Sequence, residues 1–297
     1  FRMVRHMVSH EGAHSFLEPL KNSASGRLTL GFKNANISEV LESVLDLVHR
    51  YDFQIGRAFL IQFDQGLGEA ITVMHFILTH DSGEKVTPEF VPSIRMVKAL
   101  RTLGWVDNDE YTELTRKPHD FSINASNLVR SMATWCHIFL SKKTPYAYSL
   151  YRVCNTFFQY PELTNEVVNL FRLKFDPLSA DKREQGEYET KRNDLQTKVS
   201  ALIEEIDKAI FFECIRFVDS TLKTNYFLST KTGHAFRMDP KVLNKKHYPD
   251  TPYGFYFISG RRFRAFQVRW KDISRGGMRV VMPGNTADYD YALAGLF

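Results

Sequence analysis

Hydrophobic and polar positions along this chain follow two different periods, and the places where the period changes mark out its elements. Arg27 to Phe32 reads as a short strand. Val40, Leu41, Val44, Leu45, Leu47 and Val48 then recur at the spacing of an amphipathic helix, with Ser38 as its expected N-cap. Two strands follow at Gly56 to Asp64 and Ala70 to Thr79, joined by Gln65 to Glu69, and a helix near Pro88 to Leu103 is expected to end at Gly104. This β-α-β-β-α order is that of a small module with an antiparallel sheet and helices on one face.

From Trp105 to Asp120 the polar, charged string with Lys117-Pro118 reads as a linker, after which the helical period dominates. Leu128, Met132, Trp135, Cys136 and Phe139 mark a helix over Asn124 to Leu140, and Leu150, Val153, Cys154 and Phe157 mark another over Tyr146 to Tyr160. These aromatic stripes are read as core, since no phosphate-binding loop accompanies them. Val167 to Phe175 continues as a helix that Asp176-Pro177 should stop, because proline disfavours helical geometry in the residue before it. The charge-dense stretch Asp181 to Arg192 is expected to be solvated, and Leu195 to Val218 to form one long amphipathic helix.

The period of two returns near the end. Phe255, Phe257 and Ser259 alternate with Tyr256 and Ile258, and Arg264, Phe266, Val268 and Trp270 alternate with Phe263, Ala265, Gln267 and Arg269. Gly260-Arg261-Arg262 fits a turn between them, and Gly276-Gly277 allows backbone to pass close to another segment or to a ligand. Arg275 and Arg279 flank that bare backbone. An arginine fork beside open N–H groups suits a carboxylate, because the planar guanidinium engages both oxygens at once. The plainer reading is an edge hairpin with solvated arginines. A further alternative is single-stranded nucleic acid stacked on Phe263, Phe266 and Trp270 beside Arg261, Arg262 and Arg264.

Composition narrows these readings. With 297 residues, 43% of them hydrophobic, the chain can bury substantial cores, and no apolar run approaches the span of a bilayer. Cys136, Cys154 and Cys214 are odd in number and widely spaced, which implies reduced thiols in an intracellular compartment and makes the sequons at Asn36 and Asn124 chance matches. The formal charge of +5 is spread along the chain, and the basic residues beside Pro249 and Pro252 read as surface or as a steering field for an anion. His10-Glu11-Gly12-Ala13-His14 matches the zinc-peptidase string, but Gly12 weakens the helix such a site requires, so Phe1 to Gly26 is expected to be a polar connection and no metal is expected.

The run PYGFYFISGRRFRAFQVRWKDISRGGMRVV, preceded by TNYF and FRMDP, resembles the start of the catalytic region of the large-subunit NAD-dependent glutamate dehydrogenases. NASNLVRSMATWCHIFLSKKTPYAYSLYRV and VVNLFRLKFDP resemble the helical region of the same family. The resemblance implies oxidative deamination of L-glutamate to 2-oxoglutarate and ammonia with NAD as cofactor. It implies a substrate-binding role for Arg275, with Gly276 and Gly277 shaping the approach, Arg279 in support, and Lys271 and Arg269 as weaker candidates. Smaller members carry lysine where Arg275 stands, so the geometry of the contact does not transfer. The family's catalytic lysine, its acidic proton shuttle and a G-x-G-x-x-G loop are not found, and the chain begins at Phe1 and stops at Phe297. The expectation is therefore an inactive piece of a longer enzyme, mitochondrial or cytoplasmic, homo-oligomeric when whole, with no nucleic-acid or membrane partner.

The expected fold class is α+β. Residues 1–26 would connect, 27–104 form an ACT-like regulatory module, 105–223 a linker and helical region, and 224–297 the first strands of a substrate-binding domain. An alternative function is a non-catalytic module in which the ACT-like part binds an amino acid and the arginines make subunit contacts.

Overall fold

The computed structural model describes residues 2–9, 13–66, 69–101, 103, 110–115, 119, 121–142, 144, 146–178, 186–228, 231, 233–246, 248, 250–260, 263–270, 276–282 and 285–297. The class is α+β, with helices and two antiparallel sheets. The chain divides into two compact units, Phe1–Asn108 and Asp109–Phe297.

The first unit opens with helix α1 (Arg2–Ser9) and strand β1 (His14–Pro19), where a polar connection was expected. β2 (Gly26–Lys33), α2 (Ile37–Arg50), β3 (Phe53–Gly66), β4 (Glu69–His80) and α3 (Val91–Leu100) follow, and the sheet order is β1-β2-β4-β3. β2 and β3 run in the same direction with β4 antiparallel between them, so β2-α2-β3 is a split crossover. One sheet face packs Ile71 and Val73 against Met3 and Met7 of α1. A side chain at Gly31 would strike both methionines, which explains glycine in the middle of that strand. The opposite face carries Leu28, Leu30, Phe32, Met74, Phe76 and Leu78, all buried. The N-cap of α2 is Asn36, whose side chain accepts from the Ser38 N–H, so the cap lies two residues before the expected Ser38.

In the second unit α4 (Ile123–Ser141) is the central element, with buried residues on every side. Ser122 caps it by accepting from the Ala125 N–H at 3.2 Å. Around it lie α5 (Leu150–Gln159), α6 (Pro161–Phe175), α7 (Glu187–Ser200) and α8 (Glu205–Ser220). α6 stops at Phe175, as Asp176-Pro177 requires. The single helix expected over Leu195 to Val218 is two, α7 and α8, broken at residues 201–204, and α7 begins inside the charged stretch expected to be solvated.

The sheet of this unit is a meander in the order β5-β6-β7-β8-β9, made of β5 (Thr221–Thr224), β6 (Gly233–Met238), β7 (Gly254–Gly260), β8 (Arg264–Arg269) and β9 (Gly276–Val281). The alternation read from the sequence sets its faces. His234, Phe236 and Met238 of β6, Phe255, Phe257 and Ser259 of β7, and Arg264, Phe266 and Val268 of β8 are all buried. Phe236, Phe257 and Phe266 stack across neighbouring strands at 6.0 and 5.6 Å between rings, and Trp135 of α4 packs on Phe257. Helix α9 (Asp288–Ala294) closes the unit beside β9.

Candidate functional site

Four of the candidate substrate residues, Arg269, Gly276, Gly277 and Arg279, lie at the edge of the second sheet, where β8 pairs with β9 in the register Arg269↔Gly276, Val268↔Gly277 and Phe266↔Arg279. That register explains the glycine pair by packing. A Cβ at Gly276 would lie 2.7 Å from the Val268 carbonyl oxygen, and one at Gly277 would lie 2.7 Å from Leu296 Cδ2. Glycine thus lets β9 close on β8, and lets the end of the α9 segment settle on β9. The approach is to another chain segment, one of the two outcomes the sequence allowed.

The pleat separates the candidates. Gly277 and Arg279 share a face with buried Phe266 and Val268, whereas Gly276 and Arg269 point to the other face. Arg279 reaches the Gly295 carbonyl at 3.4 Å, a contact that ties β9 to the end of α9. Arg269 is exposed at the end of β8. Arg275 and Lys271 lie outside the described residues.

The inner face of this sheet also carries buried polar groups, one of which, Arg264, the sequence offered as part of a nucleic-acid surface. Arg264 is buried on the inner sheet face, where its guanidinium donates to Thr134 Oγ1 of α4 at 3.3 Å and to the carbonyls of Gly260 and Phe263. His234, fully buried on β6, lies with Nε2 3.0 Å from Asn124 Oδ1. Burial, with Lys231 and Arg130 adding like charge, holds that imidazole well below its ordinary pKa and keeps it neutral. Burial likewise lowers Lys231 to about 8. The signal for Arg264 was its place in the β8 alternation, in phase with Phe266 and Val268, which marks an inward arginine. Its burial, with that of Phe266, removes two members of the aromatic and basic set read as a nucleic-acid surface; Arg261 and Arg262 lie outside the described residues.

A cavity of about 360 Å³ lies where α4, the turn before α5 and the start of α9 meet. His137, Ser141, Ser149, Thr286 and Asp290 supply its polar groups, and Tyr146 and Tyr289 its rings. His137 donates from Nδ1 to the Tyr148 carbonyl at 2.7 Å, which fixes the tautomer of its neutral form with Nε2 as an acceptor. Lys142 Nζ stands 3.4 Å from Asp290 Oδ1 and 4.2 Å from the centre of the Tyr248 ring. Tyr146 adopts φ 72°, a strained value for a bulky residue, and is 96% exposed.

At the other end of the chain the zinc-peptidase string does not form one helical face. α1 ends at Ser9 and His14 opens β1, with His6 Nε2 3.0 Å from His14 Nδ1, while His10 and Glu11 lie outside the described residues. Among the described residues no cluster of three or more histidine, cysteine or acidic side chains could hold a metal ion. Among the described residues, neighbouring strands in both sheets are antiparallel. No described helix is long and apolar enough to cross a membrane.

Comparison with known proteins gives the class first: the chain is related in sequence to amino-acid dehydrogenases, which are oxidoreductases. More narrowly, its relatives are glutamate dehydrogenases, most of them named NAD-specific. It is 36% identical over 148 residues to glutamate dehydrogenase 2 of Dictyostelium discoideum, a match covering 49% of this chain and 14% of that protein. It is 47% identical over 75 residues to the NAD-specific glutamate dehydrogenase of Saccharomyces cerevisiae, covering 25% of this chain and 7% of that protein. The enzyme of the same name from Halomonas elongata is 28% identical over 136 residues, which is 43% of this chain and 8% of its own length. These matches thus span no more than 14% of any of the three relatives. No family model matches the chain.

Proposed function

We propose that this chain is part of an NAD-dependent glutamate dehydrogenase that oxidatively deaminates L-glutamate to 2-oxoglutarate and ammonia. The observation that carries the reading is the shared identity with several named glutamate dehydrogenases, 47% over the 75 residues matched in the yeast protein. NAD would accept the hydride in the whole enzyme. Its binding is assigned to a domain outside this chain.

The part of this chain in that reaction is substrate capture. Arg275, with Lys271 on the same connection between β8 and β9, supplies the charge for a substrate carboxylate. Gly276 and Gly277 keep the neighbouring backbone uncrowded. Arg279 acts by packing, in keeping with its contact to Gly295, and Arg269, on the opposite sheet face, is the weakest candidate. The whole enzyme is read as an intracellular homo-oligomer, mitochondrial or cytoplasmic. The burial of this chain's three cysteines as free thiols supports a reducing compartment.

NADH formation from L-glutamate by the full-length protein tests the assignment, with the 297-residue chain as control. Arg275→Ala should cost about 2 to 4 kcal/mol in kcat/KM. An unchanged variant would remove Arg275 from the site while leaving the reaction standing, and an inert full-length protein would overturn the enzyme reading.

A second reading has one specific observation in its favour. The split β-α-β crossover of the first unit, with helices beside an antiparallel sheet, supports an ACT-like module that binds a free amino acid. Calorimetric binding of an amino acid that survives Arg275→Ala, without turnover in the full-length protein, would favour it.

A further inference from the structure

One short segment, residues 295–297 at the end of α9, touches both flanks of the connection that carries Lys271 and Arg275. Trp270 is the last described residue before that connection and Gly276 the first after it. On the β8 side the Phe297 ring meets the Trp270 ring edge-on, with centres 5.6 Å apart and planes at 85°. On the β9 side buried Leu296 fills the place where a Cβ of Gly277 would stand, and the Gly295 carbonyl accepts from Arg279 at 3.4 Å. The segment is itself held in place. The N–H groups of Gly295, Leu296 and Phe297 donate to the carbonyls of Tyr291, Leu293 and Ala294 at 2.9, 3.2 and 3.1 Å. Phe297 also packs on the buried Tyr248 ring at 4.8 Å, and Lys142 lies over that ring while pairing with Asp290 of α9.

We propose that Phe297 is a positioning residue for substrate capture: wedged between Trp270 and Tyr248 while Leu296 holds Gly277, it fixes both flanks of the connection and so presets where Arg275 meets the substrate carboxylate. The inference rests on the substrate role given to Arg275 above. A charged side chain on a connection loose at either flank has to be ordered when the substrate arrives, and that lost freedom is subtracted from the affinity. Flanks fixed by packing meet the cost on folding instead. The demand is strict for an arginine, because a guanidinium fork needs the right angle as well as the right distance to engage both carboxylate oxygens. Phe297 has no polar side-chain group, so its effect passes through Arg275.

NADH formation from L-glutamate by the full-length protein reads the effect. Phe297→Ala should raise KM for L-glutamate roughly tenfold, with kcat within about twofold and KM for NAD unchanged, because the binding lost is shared by substrate and transition state. Phe297→Tyr, which keeps a ring against Trp270 and Tyr248, should restore the wild-type KM. A double variant separates positioning from general support of the fold. In an Arg275→Ala background Phe297→Ala should leave the glutamate KM where Arg275→Ala put it, since the group being placed is gone. If Phe297→Ala does not fold, Phe297→Leu, which keeps apolar volume and loses the ring, is read in the same way. With a wild type that turns over glutamate, three results would each overturn the proposal and leave the enzyme reading standing: a glutamate KM indifferent to loss of the ring, an equal loss in kcat or in NAD affinity, or effects of Phe297→Ala and Arg275→Ala that add. A wild type without turnover would overturn the enzyme reading and the proposal with it.

Discussion

At the scale of single residues the two adjacent glycines of β9 are not equivalent. The Cβ that Gly276→Ala adds meets the Val268 carbonyl, backbone that is fixed in the sheet, whereas the one that Gly277→Ala adds meets the tip of the Leu296 side chain. Gly276→Ala should therefore destabilise by about 1 to 3 kcal/mol and Gly277→Ala by less than about 1 kcal/mol. Urea denaturation of both variants checks the order, and a reversed order would show that β9 does not approach β8 as described. The sequence marked both glycines as places of close approach but could not say what approached, because the partner atoms come from β8 and from the far end of the chain. Arg264 shows the same limit. Its phase in the strand was legible, but its acceptors Thr134 and Gly260 come from α4 and β7.

At the scale of elements, helix ends depend on groups brought from elsewhere as much as on local caps. Ser122 caps α4 from the adjacent position, and Ser122→Ala should cost about 1 kcal/mol. The C-terminal end of α8 is held by Lys174 of α6, whose Nζ donates to the carbonyls of Val218, Asp219 and Thr221 at 2.8, 2.7 and 2.9 Å. Burial lowers the pKa of this amine, and the neighbouring Asp219 carboxylate acts against that shift. Lys174→Met keeps the aliphatic stem and removes the donors, so it should cost about 2 kcal/mol, more than the local cap, and guanidinium denaturation of the two variants compares them. The period of 3.6 located these helices, but it ran α7 and α8 together. The break at residues 201–204 carries apolar Leu202 and Ile203 and so does not interrupt the pattern.

At the scale of the whole molecule, the Asp109–Phe297 unit holds all three cysteines in its core, with Cys136 Sγ of α4 3.5 Å from Cys214 Sγ of α8. Burial raises the Cys136 pKa well above that of a free thiol. A thiol-specific colorimetric reagent should therefore find no reactive cysteine in the native protein and three after denaturation, appearing together at the rate at which this unit opens. A thiol reacting in the native state would contradict the close packing of α4 on α8. By itself the sequence determined the α+β class, the inner faces of β7 and β8, the end of α6 at Asp176-Pro177 and the kinship with glutamate dehydrogenases, because alternation, proline geometry and ordered motifs are local properties of the chain. Only the tertiary structure decided that β1 completes the first sheet, that Arg269 and Arg279 face opposite ways, and that β3 is left bare at an edge. Strand order and the partner across a pleat are set by which segments, distant in sequence, bury their apolar faces together, and no local period encodes that choice.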